Sequence, residues 1–114
     1  MAIERWKGGA AGRCRMVKHN GMVWTVATAR DKGPSVAQQT ADVLAQLDAS
    51  LAEAGTDKSK LLTATVYITD MAHKPEMDAV WCAWAHPDGW PQRACVQVGL
   101  EGKDLVEIVI TAAV

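Results

Sequence analysis

One segment of the chain, residues 35–55, carries helix signals at both ends and constrains how the rest can fold. Ser35 is followed three residues later by Gln38, the pattern of a capping box, and Gly55 supplies the left-handed residue that ends many helices. Between them, six residues recur at helical spacing: Val36, Thr40, Val43, Leu44, Leu47 and Leu51. We therefore predict a helix over residues 35–54 with one apolar stripe, which another layer has to cover.

Five other segments alternate in polarity or are rich in β-branched residues, and they predict the strands of that second layer. They span residues 13–17, 22–28, 61–69, 93–98 and 105–113. Asn20-Gly21 separates the first two and is a strong signal for a hairpin, because both residues tolerate positive φ. The polar, glycine-rich first dozen residues predict a loop or a loose first strand.

A second, shorter helix is predicted to include Pro75, a residue type that the first turn of a helix tolerates. Apolar residues follow at i, i+3, i+4 and i+7: Met77, Val80, Trp81 and Trp84. The resulting order, β-β-α-β-α-β-β, predicts a single domain over residues 1–114. The predicted fold class is α+β, a two-layer sandwich with both helices on one face of a mixed sheet.

The predicted sheet has a second face that no helix covers. In strand 93–98 the apolar set Ala94, Val96 and Val98 is assigned to the core, which places Arg93 and Cys95 on the other face. The uncovered face mixes Thr, Tyr, Gln, Arg and Glu with small apolar residues, and it is too apolar to be left in water. We therefore expect a homo-oligomer that covers this face.

The charge balance excludes a broad class of partner. The 114 residues include 12 Lys and Arg and 13 Asp and Glu, which gives a formal net charge of −1. A general nucleic-acid binder carries a strong positive excess, so nucleic acid is not expected as a partner. No apolar run reaches the roughly 18 residues that cross a bilayer, and the first residues lack a signal-peptide pattern. We expect no membrane contact and a cytoplasmic location.

The cysteines and histidines give no sign of a disulfide or a metal site. Cys14, Cys82 and Cys95 are odd in number and form no C-x-x-C pair. His19 and the two other histidines lie in turn or loop contexts without the spacing of metal ligands. We expect free thiols and no metal.

Several short strings, in a fixed order and spacing over residues 13–114, resemble the RidA family of reactive intermediate deaminases, also called the YjgF family. The strings are VAQQT at 36–40, LAEAG at 51–55, ATVYITDM at 64–71, PQRACVQV at 91–98 and VEI at 106–108. The resemblance implies a chorismate-mutase-like fold and a homotrimer, with three sheets lining a central barrel and ligand clefts at the subunit interfaces. It also implies an activity, because archetypal members hydrolyse enamines and imines, such as 2-aminoacrylate, to 2-keto acids and ammonia.

The resemblance gives two charged residues a role in this chemistry. Arg93 matches the family's substrate-binding arginine, and a guanidinium holds a planar carboxylate through two parallel hydrogen bonds. Glu107 matches the glutamate that positions the attacking water, and a carboxylate can also move a proton in that step. Structural alternatives stay open, since Arg93 could be a solvated edge charge or could form an ion pair with Glu107.

Three further residues are expected to line the substrate cleft. Cys95 shares a strand face with Arg93 and lacks a partner that would activate its thiol, so it is predicted to line the cleft and not to act as a nucleophile. Val26-Ala27-Thr28 matches the archetype's Ser-Gly-Gln, in which the glycine lets the backbone approach the ligand. Ala27 and Thr28 are therefore candidate substrate-binding residues, with the Ala27 methyl tightening the cleft. No cofactor is expected, because an imine is already reactive.

Other departures from the archetype keep alternative functions open. Asp78 stands where the archetype has Asn, and Arg13 and Arg15 add positive charge near the N-terminus that could attract an anion. These differences indicate a divergent subgroup. The leading hypothesis is an imine deaminase acting on a small carboxylate-bearing substrate. A non-catalytic binder or sensor of small acids is the second hypothesis, and an endoribonuclease or translation inhibitor is the third.

Overall fold

The computed structural model describes residues 2–114 and contains two helices packed on one sheet. Helix α1 spans Val36–Ala54 and helix α2 spans Lys74–Trp84. The strands are β1 (Glu4–Lys7), β2 (Cys14–His19), β3 (Met22–Thr28), β4 (Leu61–Ile68), β5 (Gln92–Gln97) and β6 (Val106–Ala113). Short 3₁₀ turns lie at Lys58–Lys60 and Met71–His73. None of the helices in this described part is long and apolar enough to cross a membrane.

The ends of α1 and the first hairpin form as predicted. The Ser35 hydroxyl accepts a hydrogen bond from the Gln38 amide at 3.1 Å, and Gly55 is left-handed with φ of 86°. Between β2 and β3, Asn20 and Gly21 have φ of 52° and 75°. Two consecutive positive φ values are what a two-residue type I′ turn requires.

The six strands form one mixed sheet in the order β1-β2-β3-β6-β4-β5. Only β4 and β5 are parallel, with α2 forming the crossover between them. The sheet contains one strand more than the predicted order, because β1 pairs antiparallel with the edge of β2. This strand of four residues shows no clear alternation of polar and apolar side chains, so the sequence predicted only a loop or a loose strand there.

Both helices lie on one face of the sheet and bury its apolar side. The core stripes predicted for β4 and β6 are confirmed, since Ala64, Val66, Ile68, Val106, Ile108 and Ile110 are all buried. They form one cluster with Val43, Leu44, Leu47 and Leu51 of α1 and with Met77 and Trp81 of α2. The result is the two-layer α+β sandwich that the sequence predicts.

The predicted orientation of β5 is wrong. Arg93 pairs with Ala64 of β4, whose side chain is buried under the helices, so Arg93 and Cys95 point to the helix side. Ala94 and Val96 point to the other side, and Val96 is 38% exposed. Alternation separates two sets of residues but does not say which set faces the helices. Here α2 offers Arg93 an acidic and an aromatic partner, and those contacts decide the orientation.

The sheet face opposite the helices, which we call the open face, is uncovered in the single chain. It consists of Trp24, Val26, Thr65, Tyr67, Val96, Glu107, Val109 and Thr111. Trp24, Val26 and Val96 are exposed, and the others are half-buried. The mixed character predicted for this face is confirmed for Tyr67 and Glu107, but Arg93 does not belong to it.

The loop before β5 rests directly on the backbone of the first 3₁₀ turn. A Cβ at Gly89 would lie 2.6 Å from the Ser59 carbonyl oxygen and 2.7 Å from its Cα. Real Cβ atoms do not approach backbone this closely, so only glycine fits without moving one of the two segments. The contact fixes the point from which Trp90 and Pro91 lead into β5.

Candidate functional site

The five predicted site residues fall into two groups within one chain. Ala27, Thr28 and Glu107 line one cleft, whereas Arg93 lines another and Cys95 lies near it on β5. We call the two cavities the Glu107 cleft and the Arg93 cleft.

The Glu107 cleft lies where β3 and β6 pair. Thr28 is directly opposite Glu107. Ala27 is opposite Ile108 and its side chain is buried in the core on the helix side, so the prediction that its methyl tightens the cleft is wrong. The cleft has a volume of about 380 Å³ and is also lined by the N-terminal residues Gly8, Gly9, Ala10, Arg13, Cys14 and Arg15 and by Val26, Glu101 and Asp104. Three of the five candidate site residues, Ala27, Thr28 and Glu107, are therefore neighbours along one cleft of the chain.

The charges of the Glu107 cleft are partly neutralised by partners outside it. Arg15 donates to Glu53 of α1 at 2.8 Å, and Asp104 pairs with Lys32. Within residues 2–114, Arg13 and Glu107 form no ion pair. Because Arg15 is paired, only Arg13 keeps an unpaired positive charge of the two arginines. The unpaired carboxylate of Glu107 lines the same cleft.

Gln39 supports one wall of this cleft and was not among the predicted site residues. Its buried amide donates to the carbonyls of Gly33 at 2.7 Å and Lys103 at 3.1 Å and accepts from the Leu105 amide at 2.9 Å. These bonds hold the loop that carries Glu101. The available signal was a polar residue three positions after Val36, on the buried stripe of α1, where an unpaired amide would be costly.

The Arg93 cleft lies between α2 and the loop before β5. It has a volume of about 330 Å³ and is lined by Asp78, Trp81, Cys82, Ala85, Trp90, Pro91 and Arg93. Arg93 Nη2 donates to Asp78 Oδ1 at 2.7 Å, and the guanidinium carbon lies 5.2 Å from the centre of the Trp81 ring. These two contacts hold one edge and one face of the guanidinium, and they thereby orient its remaining N–H groups.

Within one chain, Arg93 does not pair with Glu107. Arg93 is on the helix side of β5 and Glu107 is on the open face of β6, with β4 between them. The partner of Arg93 is Asp78, one of the positions at which the chain departs from the archetype. The solvated-edge alternative is also excluded, because the side chain of Arg93 is only 20% exposed.

Asp78 connects Arg93 to a second cation. Lys74, one helical turn earlier, donates to Asp78 Oδ2 at 2.7 Å. Burial raises the pKa of Asp78, but the hydrogen bonds and charges of Lys74 and Arg93 outweigh it, so the pKa lies below the ordinary value. The carboxyl is ionised at neutral pH, and the three groups together carry one net positive charge.

Cys95 is on the same side of β5 as Arg93, as predicted from their shared strand face. It is half-buried against the core and is not part of the lining of the Arg93 cleft. Burial raises the pKa of its thiol and outweighs the opposing charge of Arg93. A protonated thiol is a poor nucleophile, which agrees with the prediction that Cys95 does not attack the substrate.

Several N–H groups of the Arg93 guanidinium are not used in hydrogen bonds within the chain. Its hydrogen bonds within residues 2–114 go to Asp78 and, weakly, to the Met77 sulfur at 3.9 Å. Since an arginine has five N–H groups, about three remain for a ligand. Glu107 offers a carboxylate as acceptor in the other cleft. Because the two residues lie on opposite faces of the sheet, no cavity of one chain contains both.

Comparison with known proteins covers nearly the whole chain. The family model described as Endoribonuclease L-PSP matches residues 11–114. The RutC family protein YoaB of Escherichia coli strain K12 is 37% identical over 100 residues, which are 87% of this chain and 88% of that protein.

Solved structures share the fold at similar coverage. A member of the YjgF protein family from Neisseria meningitidis has a TM-score of 0.93 at 39% identity, covering 99% of this chain and 95% of that chain. A putative translation initiation inhibitor from Salmonella typhimurium has a TM-score of 0.90 at 35% identity, covering 99% and 98%. The family model is named for an endoribonuclease and the Salmonella protein for inhibition of translation initiation, whereas the other two descriptions name only a family.

Proposed function

The chain belongs to the RidA family, also called the YjgF family, and on that premise we propose that it is an imine deaminase. It hydrolyses reactive 2-imino acids, and the enamines that tautomerise to them, to 2-keto acids and ammonia. The observation that carries the proposal is the guanidinium of Arg93, which is held by Asp78 and Trp81 and keeps about three N–H donors for a carboxylate.

The reaction needs positioning and a series of proton transfers. Arg93 holds the carboxylate of the substrate next to the C=N bond. Water forms a C–O bond to the carbon of the protonated imine, the π electron pair of C=N moves to nitrogen, and Glu107 accepts one proton of the water. Glu107 then returns this proton to the nitrogen of the carbinolamine. The C–N bond breaks as the hydroxyl oxygen forms the C=O bond, and the hydroxyl proton passes to Glu107 and leaves with ammonia as ammonium. Positioning and general acid–base catalysis together supply the acceleration.

The proposed site is shared by two copies of the chain. In a homotrimer the Arg93 cleft of one chain faces the Glu107 cleft of its neighbour, and the open faces line a central barrel. Two features support this assembly: the site residues are divided between opposite faces of one sheet, and the open face exposes Trp24, Val26 and Val96 to water.

The activity is tested by generating 2-imino acids in situ with an amino-acid oxidase. We expect the protein to increase the initial rate of keto-acid release above the spontaneous rate, in proportion to its concentration. Heat-denatured protein at the same concentration is the control. If native and denatured protein give equal rates for every imino acid tried, the deaminase proposal is rejected.

A non-catalytic binder of small acids is the second candidate, and Asp78 is the observation that favours it. Its carboxylate neutralises part of the charge that Arg93 would present to an acid. Stabilisation by keto acids without hydrolysis of any imine would identify this function.

Replacing Asp78 by Asn should strengthen the binding of keto acids. Asn keeps an oxygen acceptor for Arg93 but removes a negative charge 2.7 Å from Nη2. At a half-exposed site this charge is worth about 1 kcal/mol, so we expect a roughly fivefold lower Kd for pyruvate by calorimetric titration. Asp88→Asn, which removes an exposed carboxylate outside the cleft, is the control and should leave the Kd unchanged. A weaker affinity in Asp78→Asn would show that orientation by the carboxylate matters more than its charge.

A further inference from the structure

The Arg93 cleft has a charged end and an apolar wall. Arg93 and Asp78 form the charged end, and Trp81, Trp90 and Pro91 form most of the wall. The face of Trp81 is already covered in part by the guanidinium, 5.2 Å from its ring centre. Among residues 2–114, no cation lies over the ring of Trp90. Its indole is therefore the part of the wall that a ligand can cover.

Trp90 is 78% exposed, more than any other large hydrophobic residue in the described chain. It is nevertheless carried by a constrained segment. Gly89 lies against the Ser59 backbone on one side, and Pro91 restricts the chain on the other. An indole held in water on a fixed loop, beside a fixed guanidinium, has the features of a preformed binding surface.

We propose that the Arg93 cleft selects carboxylic acids that carry an aromatic or broad apolar side chain, with the side chain covering Trp90. This inference rests on the proposed function for its reaction, since it names the 2-imino acids that the site would prefer. The carboxylate binds the free N–H groups of Arg93, and the apolar body of the ligand extends along Trp90 and Pro91.

The charges and the shape of the cleft both favour this class over others. Within the cleft Asp78 balances the charge of Arg93, and Lys74 adds one positive charge beside it, which disfavours cationic side chains. A ligand with only a methyl group would satisfy Arg93 but leave the indole of Trp90 in water. A planar ring removes apolar area from water on both partners and stacks on the indole.

Pyruvate and 3-phenylpyruvate test the inference, because these stable 2-keto acids differ by one phenyl ring. In calorimetric titrations of the wild-type protein we expect 3-phenylpyruvate to bind about tenfold tighter than pyruvate. Trp90→Ala should remove this difference by weakening 3-phenylpyruvate alone. Trp90→Phe keeps an aromatic ring and is the matched control, so it should retain most of the preference.

The outcomes separate this inference from the deaminase proposal. A preference for 3-phenylpyruvate that depends on Trp90, without imine hydrolysis in the oxidase assay, supports the ligand class and rejects the deaminase. Hydrolysis by a protein that binds both acids equally rejects the ligand class alone. The ligand class is also rejected if neither acid binds, or if Trp90→Ala weakens both acids to the same extent.

Discussion

Arg93→Gln should lower kcat/KM for 2-imino acid hydrolysis by roughly 100-fold to 1,000-fold. Glutamine has the length to stay near Asp78 but offers a neutral amide in place of a charged, two-pronged donor. Charged hydrogen bonds contribute about 1.5–3 kcal/mol each, and the loss of two at the low end of that range, about 3–4 kcal/mol in total, corresponds to this factor. The measurement is the initial rate of keto-acid release in the coupled oxidase assay over a series of substrate concentrations.

A matched control shows whether the effect of Arg93→Gln comes from the cleft or from the loss of one positive charge anywhere on the protein. Arg30 is exposed, and its guanidinium lines neither cleft. Arg30→Gln should therefore keep wild-type kinetics, and circular dichroism should show that both variants are folded. Equal kinetics for Arg93→Gln and wild type would mean that the acid is held elsewhere.

Glu107→Gln should lower kcat by about 100-fold while changing KM little. The amide keeps the size of the side chain and its place opposite Thr28 but cannot accept a proton from water. Positioned acid–base groups contribute roughly 100-fold to 10,000-fold in enzymes, and an already reactive imine places the effect at the low end. If the variant lost thermal stability but kept kcat, Glu107 would be a structural residue.

Mixing the two inactive variants tests whether the site is shared. If Arg93 and Glu107 act from neighbouring chains of a ring, subunits exchanged by unfolding and refolding of an equal mixture should recover about a quarter of wild-type activity. That fraction follows because each cleft needs an intact arginine from one chain and an intact glutamate from the next. Complete inactivity of refolded mixed oligomers would reject a site shared by Arg93 of one chain and Glu107 of the next.

The strong local patterns were sufficient to predict most of the fold. The stripe and caps of α1, the Asn20-Gly21 turn and the alternation of β4 and β6 each depend on neighbours in sequence. These elements are consequently correct to within a residue or two. The strand β1 was less certain, because its pairing with β2 depends on register and not on its own composition.

The site was predicted less completely, since its residues depend on contacts distant in sequence. Glu107 and Thr28 were each assigned to the site from the family resemblance, and their direct pairing across β3 and β6 was not predicted. The side of β5 on which Arg93 lies depends on Asp78 and Trp81 in a different element, so alternation gave the correct pairing with Cys95 and the wrong face. Gln39 was missed for the same reason, because its partners include a loop that lies more than sixty positions away.

The contact between Gly89 and Ser59 turns the short stretch of Trp90, Pro91 and Gln92 into a spacer of fixed length. Inserting one residue into it would shift β5 by one position, turn Arg93 onto the open face and leave Asp78 with Lys74 alone. Inserting two would restore the direction of Arg93 but move it by roughly 7 Å along the strand. Relatives that keep an arginine in the cleft are therefore expected to keep the same number of residues between this glycine and the arginine.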